Sequence, residues 1–190
     1  MLHLLVIAGL GVVVFATTDI DDLFVLMAFF SDRRLRAWQV VVGQYAGITA
    51  LTAVALAFSA AAGSFPERYV SLLGIAPVAI GVYRLVRRPV LEMGKASAAT
   101  GVLTVATVTV ANGGDNLGLY IPLFAQQGLR NALVFAAVFA AMTGVWCLVS
   151  YSLVRHPTLG APIRRFGPPL LPWVLIVIGL YILSGFVRGQ

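Results

Sequence analysis

Apolar positions follow one another along this chain in long runs, and short polar stretches separate them. The pattern predicts six membrane-spanning helices, over residues 4–30, 40–62, 69–86, 99–124, 132–154 and 170–186. Crossing a hydrocarbon core of about 30 Å takes roughly 17–25 helical residues, and these runs approach or exceed that length. The third and sixth runs are short, with Pro77 and Pro172 placed to start or bend them. No segment alternates with the period-two pattern of a β-barrel strand. The expected fold class is therefore all-α, a polytopic membrane protein forming a single transmembrane domain over residues 1–190.

Composition agrees with the pattern. Hydrophobic residues make up 60% of the 190 positions and charged residues 11%, against about 25% charged in soluble domains. A chain of this size in water could not bury so much apolar surface. The net charge of +6 does not point to nucleic acid, because the basic residues sit in short loops between apolar runs. Arg33, Arg34 and Arg36, then Arg84, Arg87, Arg88 and Lys95, then Arg155, Arg164 and Arg165 all fall on one side; Arg68, Arg130 and Arg188 fall on the other. Loops rich in Lys and Arg stay in the cytoplasm, which predicts a membrane protein with both termini outside. The first run lacks a basic flank and a small-residue cleavage pattern, so it is expected to remain as a span rather than a cleaved leader. Cys147 is the single cysteine, which excludes an intramolecular disulfide and a CxxC metal site.

The two halves of the chain resemble each other. An offset of 94 aligns Thr18, Asp21, Asp22, Leu23 and Phe30 with Asn112, Asp115, Asn116, Leu117 and Phe124, and a further match links 80–85 with 178–183. Three spans per half is an odd number, so the halves enter the membrane from opposite sides. The expectation is two inverted three-helix repeats, about 1–88 and 97–190. Inverted-repeat transporters bind substrate near the bilayer midplane, on interrupted helices.

Two polar clusters occupy matched places in spans one and four. An ionised side chain at mid-bilayer costs a few kcal/mol on translocon scales, and roughly 10 or more in some simulations, so carboxylates there mark a site. Thr18, Asp21 and Asp22 share a helical face, as do Asn112, Asp115 and Asn116. Asp19 points about 200° away from Asp21 on a continuous helix; either the backbone unwinds there or Asp19 serves a separate contact. Gly113-Gly114 before Asp115, with Pro122 beyond it, make a break in span four easy. Asp21 and Asp115 lie at mirrored depths, so oxygen donors from both helices are expected to surround one point. Carboxylates and carboxamides suit a divalent cation, with Asp21, Asp115, Asp22 and Asn112 as its ligands and Thr18, Asn116 and Asp19 beside them. Gln44 and Tyr45, near the inner end of span two, are expected to line a vestibule. Gly43, Gly47, Ala50, Ala53 and Ala57 suit close helix contacts, including those of a homodimer. The competing reading is that the polar groups bond to one another and merely fasten the two spans.

Three separated motifs carry a family resemblance. They are Thr18-Asp19-Ile20-Asp21-Asp22-Leu23-Phe24-Val25-Leu26-Met27, Gly43-Gln44-Tyr45-Ala46-Gly47, and Ala111-Asn112-Gly113-Gly114-Asp115-Asn116 with Tyr120-Ile121-Pro122. Together they resemble the CadD-type cadmium resistance transporters of the LysE superfamily. The resemblance implies an inner-membrane exporter of cadmium or a similar cation, with Asp21 and Asp115 at its acidic positions. Asp19 stands where the family is expected to carry an uncharged polar residue. The motifs supply oxygen donors only, which suit manganese, magnesium or calcium at least as well as cadmium.

No GxxxxGK[ST] loop for ATP is present, and the titratable groups at the site are carboxylates. The expected activity is export of a divalent cation by proton antiport, with no cofactor beyond the transported ion. Export of an amino acid or other small cationic solute is the alternative. An intramembrane aspartyl enzyme is more remote, because Asn112 stands where the first glycine of a Gly-x-Gly-Asp motif should be.

Overall fold

The computed structural model describes residues 2–62, 72–87 and 101–155, together with 173, 176, 177, 179, 180 and 182–184. The basic residues Arg68, Arg88, Lys95, Arg164, Arg165 and Arg188 lie outside the described residues, as does Pro172 with much of the sixth predicted span. The chain forms α1 (Leu2–Thr18), α2 (Ile20–Ser31) and α3 (Ala37–Ala62). A 3-10 turn (Leu72–Gly74) leads into α4 (Ile75–Arg87), followed by α5 (Val102–Asn112) and α6 (Gly114–Arg155). All the described elements are helical, in keeping with an all-α membrane protein. Two helices, Ala37–Ala61 and Asn116–Arg155, are long and apolar enough to cross a membrane, and His3–Thr18 with Ile20–Ser31 forms a further, broken pair.

That pair departs from the uninterrupted first span expected from hydropathy. Its two helices meet at 60° around Asp19, whose backbone leaves the helical region at φ −97°, ψ 21°. Thr18 therefore ends one helix while Asp21 and Asp22 begin the next, so the expected single stripe is divided. The stretch expected as the fourth span is likewise divided between two helices. Its α5 ends at Asn112 and α6 starts at Gly114, with Gly113 between them at φ −81°, ψ 17°. Asn112 and Asn116 thus also lie on separate helices.

Gly128, at φ 73° and ψ 163°, interrupts α6. A side chain is disfavoured at such a φ, and glycine lacks the Cβ that would clash. The helix doubles back there. Tyr120 packs against Phe139 with ring centroids 4.5 Å apart, and Phe124 against Phe135 at 5.8 Å, so residue numbers rise on one arm as they fall on the other. The arms 114–127 and 129–155 form a helical hairpin, and the expected link over 125–131 shrinks to one non-helical residue. At the third span, α4 is short and Pro77 falls in its first turn, where the missing N–H has no helical partner in any case.

The α6 hairpin packs against α1, α2 and α3. One apolar cluster gathers Phe15, Leu51, Tyr120, Phe124, Phe135 and Phe139. A second holds Leu26, Phe29, Val40, Val105 and Cys147. Along the first span, the polar residues 18–22 lie between the part in the first cluster and the part in the second. Elsewhere Leu5, Val6, Phe58, Leu103 and Leu148 are exposed, as a surface in contact with lipid requires.

Candidate functional site

The break at Asp19 frees a carboxylate that an unbroken helix would have turned away. Asp19 takes the position of an N-cap for α2, yet its side chain makes no capping bond. It points instead at the first arm of α6. Its Oδ1 accepts a hydrogen bond from Asn116 Nδ2 at 2.8 Å, and its Oδ2 one from the Tyr120 hydroxyl at 2.7 Å. The Thr18 hydroxyl lies 2.9 Å from the same Oδ2 and also 2.9 Å from the Val14 carbonyl. Asp19 is fully buried. Both alternatives open in the sequence are realised: the backbone unwinds, and Asp19 has a contact of its own.

A second polar group forms one turn further on. Asp22 Oδ2 accepts from Gln44 Nε2 and Asp22 Oδ1 from Asn112 Nδ2, both at 2.8 Å. Gln44 Oε1 in turn accepts from the Thr109 hydroxyl at 2.6 Å. These bonds join α2, α3 and α5, and they depend on a close approach of α3 to α5. A Cβ on Gly47 would stand 2.6 Å from Thr109 side-chain atoms, so only glycine lets the two helices meet there. Asp21 and Asp22 both lie in the first turn of α2, where the helix dipole favours negative charge. Asp21 is buried, and its Oδ1 accepts the Asp22 backbone N–H at 3.1 Å.

The second arm of α6 holds the broken span in place. Trp146 Nε1 donates to the Asp19 carbonyl at 2.7 Å, and the Ser150 hydroxyl to the Leu23 carbonyl at 3.2 Å. Donor and acceptor each advance by four residues, one helical turn, so the two bonds form successive rungs between helices. Asn116 Oδ1 is buried without a hydrogen-bond partner, although Asn116 Nδ2 is engaged.

The expected site residues thus fall into two neighbouring groups: Thr18, Asp19 and Asn116 in one, Asp22, Asn112 and Gln44 in the other. Gln44 is a direct partner of Asp22, and Tyr45, exposed, lines a cleft with Gly144 and Tyr151. The backbone of Asp115 belongs to the first turn of α6, but its side chain lies outside what the structure describes. Among the described residues, no three His, Cys, Asp or Glu side chains stand close enough to hold a metal ion. Tyr120, Thr109, Trp146 and Ser150 were not singled out as site residues from the sequence. Of these, Tyr120 carried a usable signal, one turn beyond Asn116 in the series 112, 116, 120.

Chemically, the two carboxylates are served by amides and hydroxyls. Rotating an Asn or Gln amide exchanges an N–H donor for a carbonyl acceptor. The same residues can therefore satisfy an anion or present oxygen to a cation. A family model described as cadmium resistance transporter matches residues 15–186 of the chain. No curated protein and no solved structure matches it.

Proposed function

The chain belongs to the cadmium resistance transporter family, and from that membership we propose that it exports its divalent cation in exchange for protons. Membership itself makes it a membrane protein of cadmium resistance transport, with a divalent metal ion as substrate. Transport, not catalysis, is the activity of the family.

The observation that carries the proposal is the pair of breaks in spans one and four. Asp19 and Gly113 are 94 residues apart, the same offset that aligns the two halves in sequence. Buried carboxylates cluster at the first break, and amides from either side of the second, Asn112 before it and Asn116 after it, reach them. Irregular backbone at membrane depth is tolerated only where protein or a cavity satisfies it. Two inverted repeats, whose interrupted helices meet at the substrate, account for this arrangement.

In this reading Asp21, Asp115, Asp22 and Asn112 bind the metal, with Thr18, Asn116 and Asp19 completing the polar surroundings. Asn112 and Asn116 rotate to offer carbonyl oxygen, and Asn116 Oδ1 already lacks a partner. Moving a divalent cation outward against an inside-negative potential costs about 4.6 kcal/mol per 100 mV, at roughly 2.3 per charge. Net export therefore needs coupling. Protons displaced from Asp21 and Asp115 by the metal provide it, and the half-bundles rock about the two breaks to open the site on either side. The protein sits in the inner membrane with both termini outside, and the exposed Ala50, Ala53 and Ala57 support a homodimer.

The test is metal-dependent proton flux in liposomes, measured over a panel of divalent ions. Asp21→Asn and Asp115→Asn are each expected to abolish it. Undiminished flux in both variants would end the proposal.

A further inference from the structure

Away from the polar groups, a cleft of about 320 Å³ runs between α2, α3 and the second arm of α6. Its walls include Phe30, Ala37, Val41, Cys147, Leu148 and Tyr151, so they are almost wholly apolar. The stretch from Gly144 to Tyr151 lines one side, a length of roughly 10 Å at 1.5 Å per helical residue. At the Tyr151 end the cleft meets a concentration of positive charge. The Arg155 guanidinium lies over the Tyr151 ring, 4.4 Å from its centroid, and donates to the Tyr151 hydroxyl. Tyr151 packs edge-on against Phe30 at 5.4 Å. Residues 31–36 join Phe30 to Ala37, two wall residues, so this loop must border the same end of the cleft. It carries Arg33, Arg34 and Arg36, all exposed in part or whole. Its single acid, Asp32, accepts the Arg34 backbone N–H at 2.9 Å. Trp38 is exposed beside it, and tryptophan favours the membrane–water interface.

We propose that this cleft is a binding site for an anionic phospholipid, with an acyl chain along α6 and the headgroup phosphate among Arg33, Arg34, Arg36 and Arg155. An apolar slot alone would accept any lipid tail. Four arginines against one acid at its mouth select a negative headgroup. Basic groups beside an apolar membrane pocket are the chemistry that recognises such lipids.

Native mass spectrometry of the purified full chain tests the site, using phosphatidylglycerol and phosphatidylcholine with identical acyl chains. Phosphatidylglycerol is expected to be retained preferentially, and its affinity to fall roughly fivefold for each arginine removed in R34Q, R36Q and R155Q. Leu148→Trp, which fills the slot from an exposed position, is expected to displace the lipid while leaving the arginines intact. Arg130→Gln, about 38 Å along the helix from Arg155, is expected to change nothing and serves as the control for folding and charge. Equal retention of the two lipids would overturn the proposal. So would undiminished phosphatidylglycerol binding in the triple arginine variant or in Leu148→Trp.

Discussion

The two helix breaks have nearly the same backbone and opposite chemistry. Asp19 sits at φ −97°, ψ 21° and Gly113 at φ −81°, ψ 17°, both in the sparsely populated region between helix and strand. At the first break the residue carries a carboxylate that reaches across to Asn116 and Tyr120. At the second there is no side chain, and a Cβ on Gly113 would stand 2.2 Å from Leu51 Cδ1, so Leu51 would have to shift to admit one. The first half of the molecule thus supplies the described acids, and the second supplies most of the side-chain donors that hold them, Asn112, Asn116 and Tyr120, with Gln44 of the first half completing the set.

Substitutions can break that asymmetry from either side, and the largest effect is expected from Asp19→Ala. It strands the Asn116 amide and the Tyr120 hydroxyl in a buried place, at about 1–3 kcal/mol for each orphaned group. Unfolding in detergent should register several kcal/mol of lost stability, and transport should cease. A smaller loss, about 1.5–3 kcal/mol, is expected for Tyr120→Phe, which removes one donor to the carboxylate and keeps the ring packing. If its stability matched the wild type, Tyr120 would be a packing residue only.

On the other side, Gly113→Ala forces a methyl into Leu51. Overpacking of this kind costs about 1–3 kcal/mol, and Leu51→Val in the same chain should return part of it. An unchanged melting temperature for Gly113→Ala would show that the second break has room to spare. Least affected should be Trp146→Phe, which deletes the donor to the Asp19 carbonyl but keeps an aromatic ring beside Phe15. About 0.5–1.5 kcal/mol is expected there, with the tryptophan fluorescence of the remaining Trp38 and Trp173 reporting whether the fold is intact.

Much of this organisation was legible in the chain. Long apolar runs announced membrane helices, and Gly113-Gly114 announced the second break, because glycine gives a helix little reason to continue. The first break was visible only indirectly. Asp19-Ile20-Asp21-Asp22 contains no helix breaker, and the clue was that three acids cannot share one face. The partners were harder. Gln44 to Asp22 spans 22 residues and Trp146 to Asp19 spans 127; such contacts are fixed by how helices pack, which local periodicity does not encode. The stretch over 125–131 is expected as a link, but helix occupies all of it except Gly128, whose turn a single glycine in a short polar stretch does not announce.

The central claim is that one cation is held by acids from both halves, Asp21 from the first and Asp115 from the second. A double-mutant cycle on cadmium affinity tests it, with Asp21→Asn, Asp115→Asn and both together in the purified protein. If both side chains touch the same ion, each single change weakens binding and the combined loss differs from their sum. Strictly additive losses, or cadmium binding unaffected by either substitution, would contradict it.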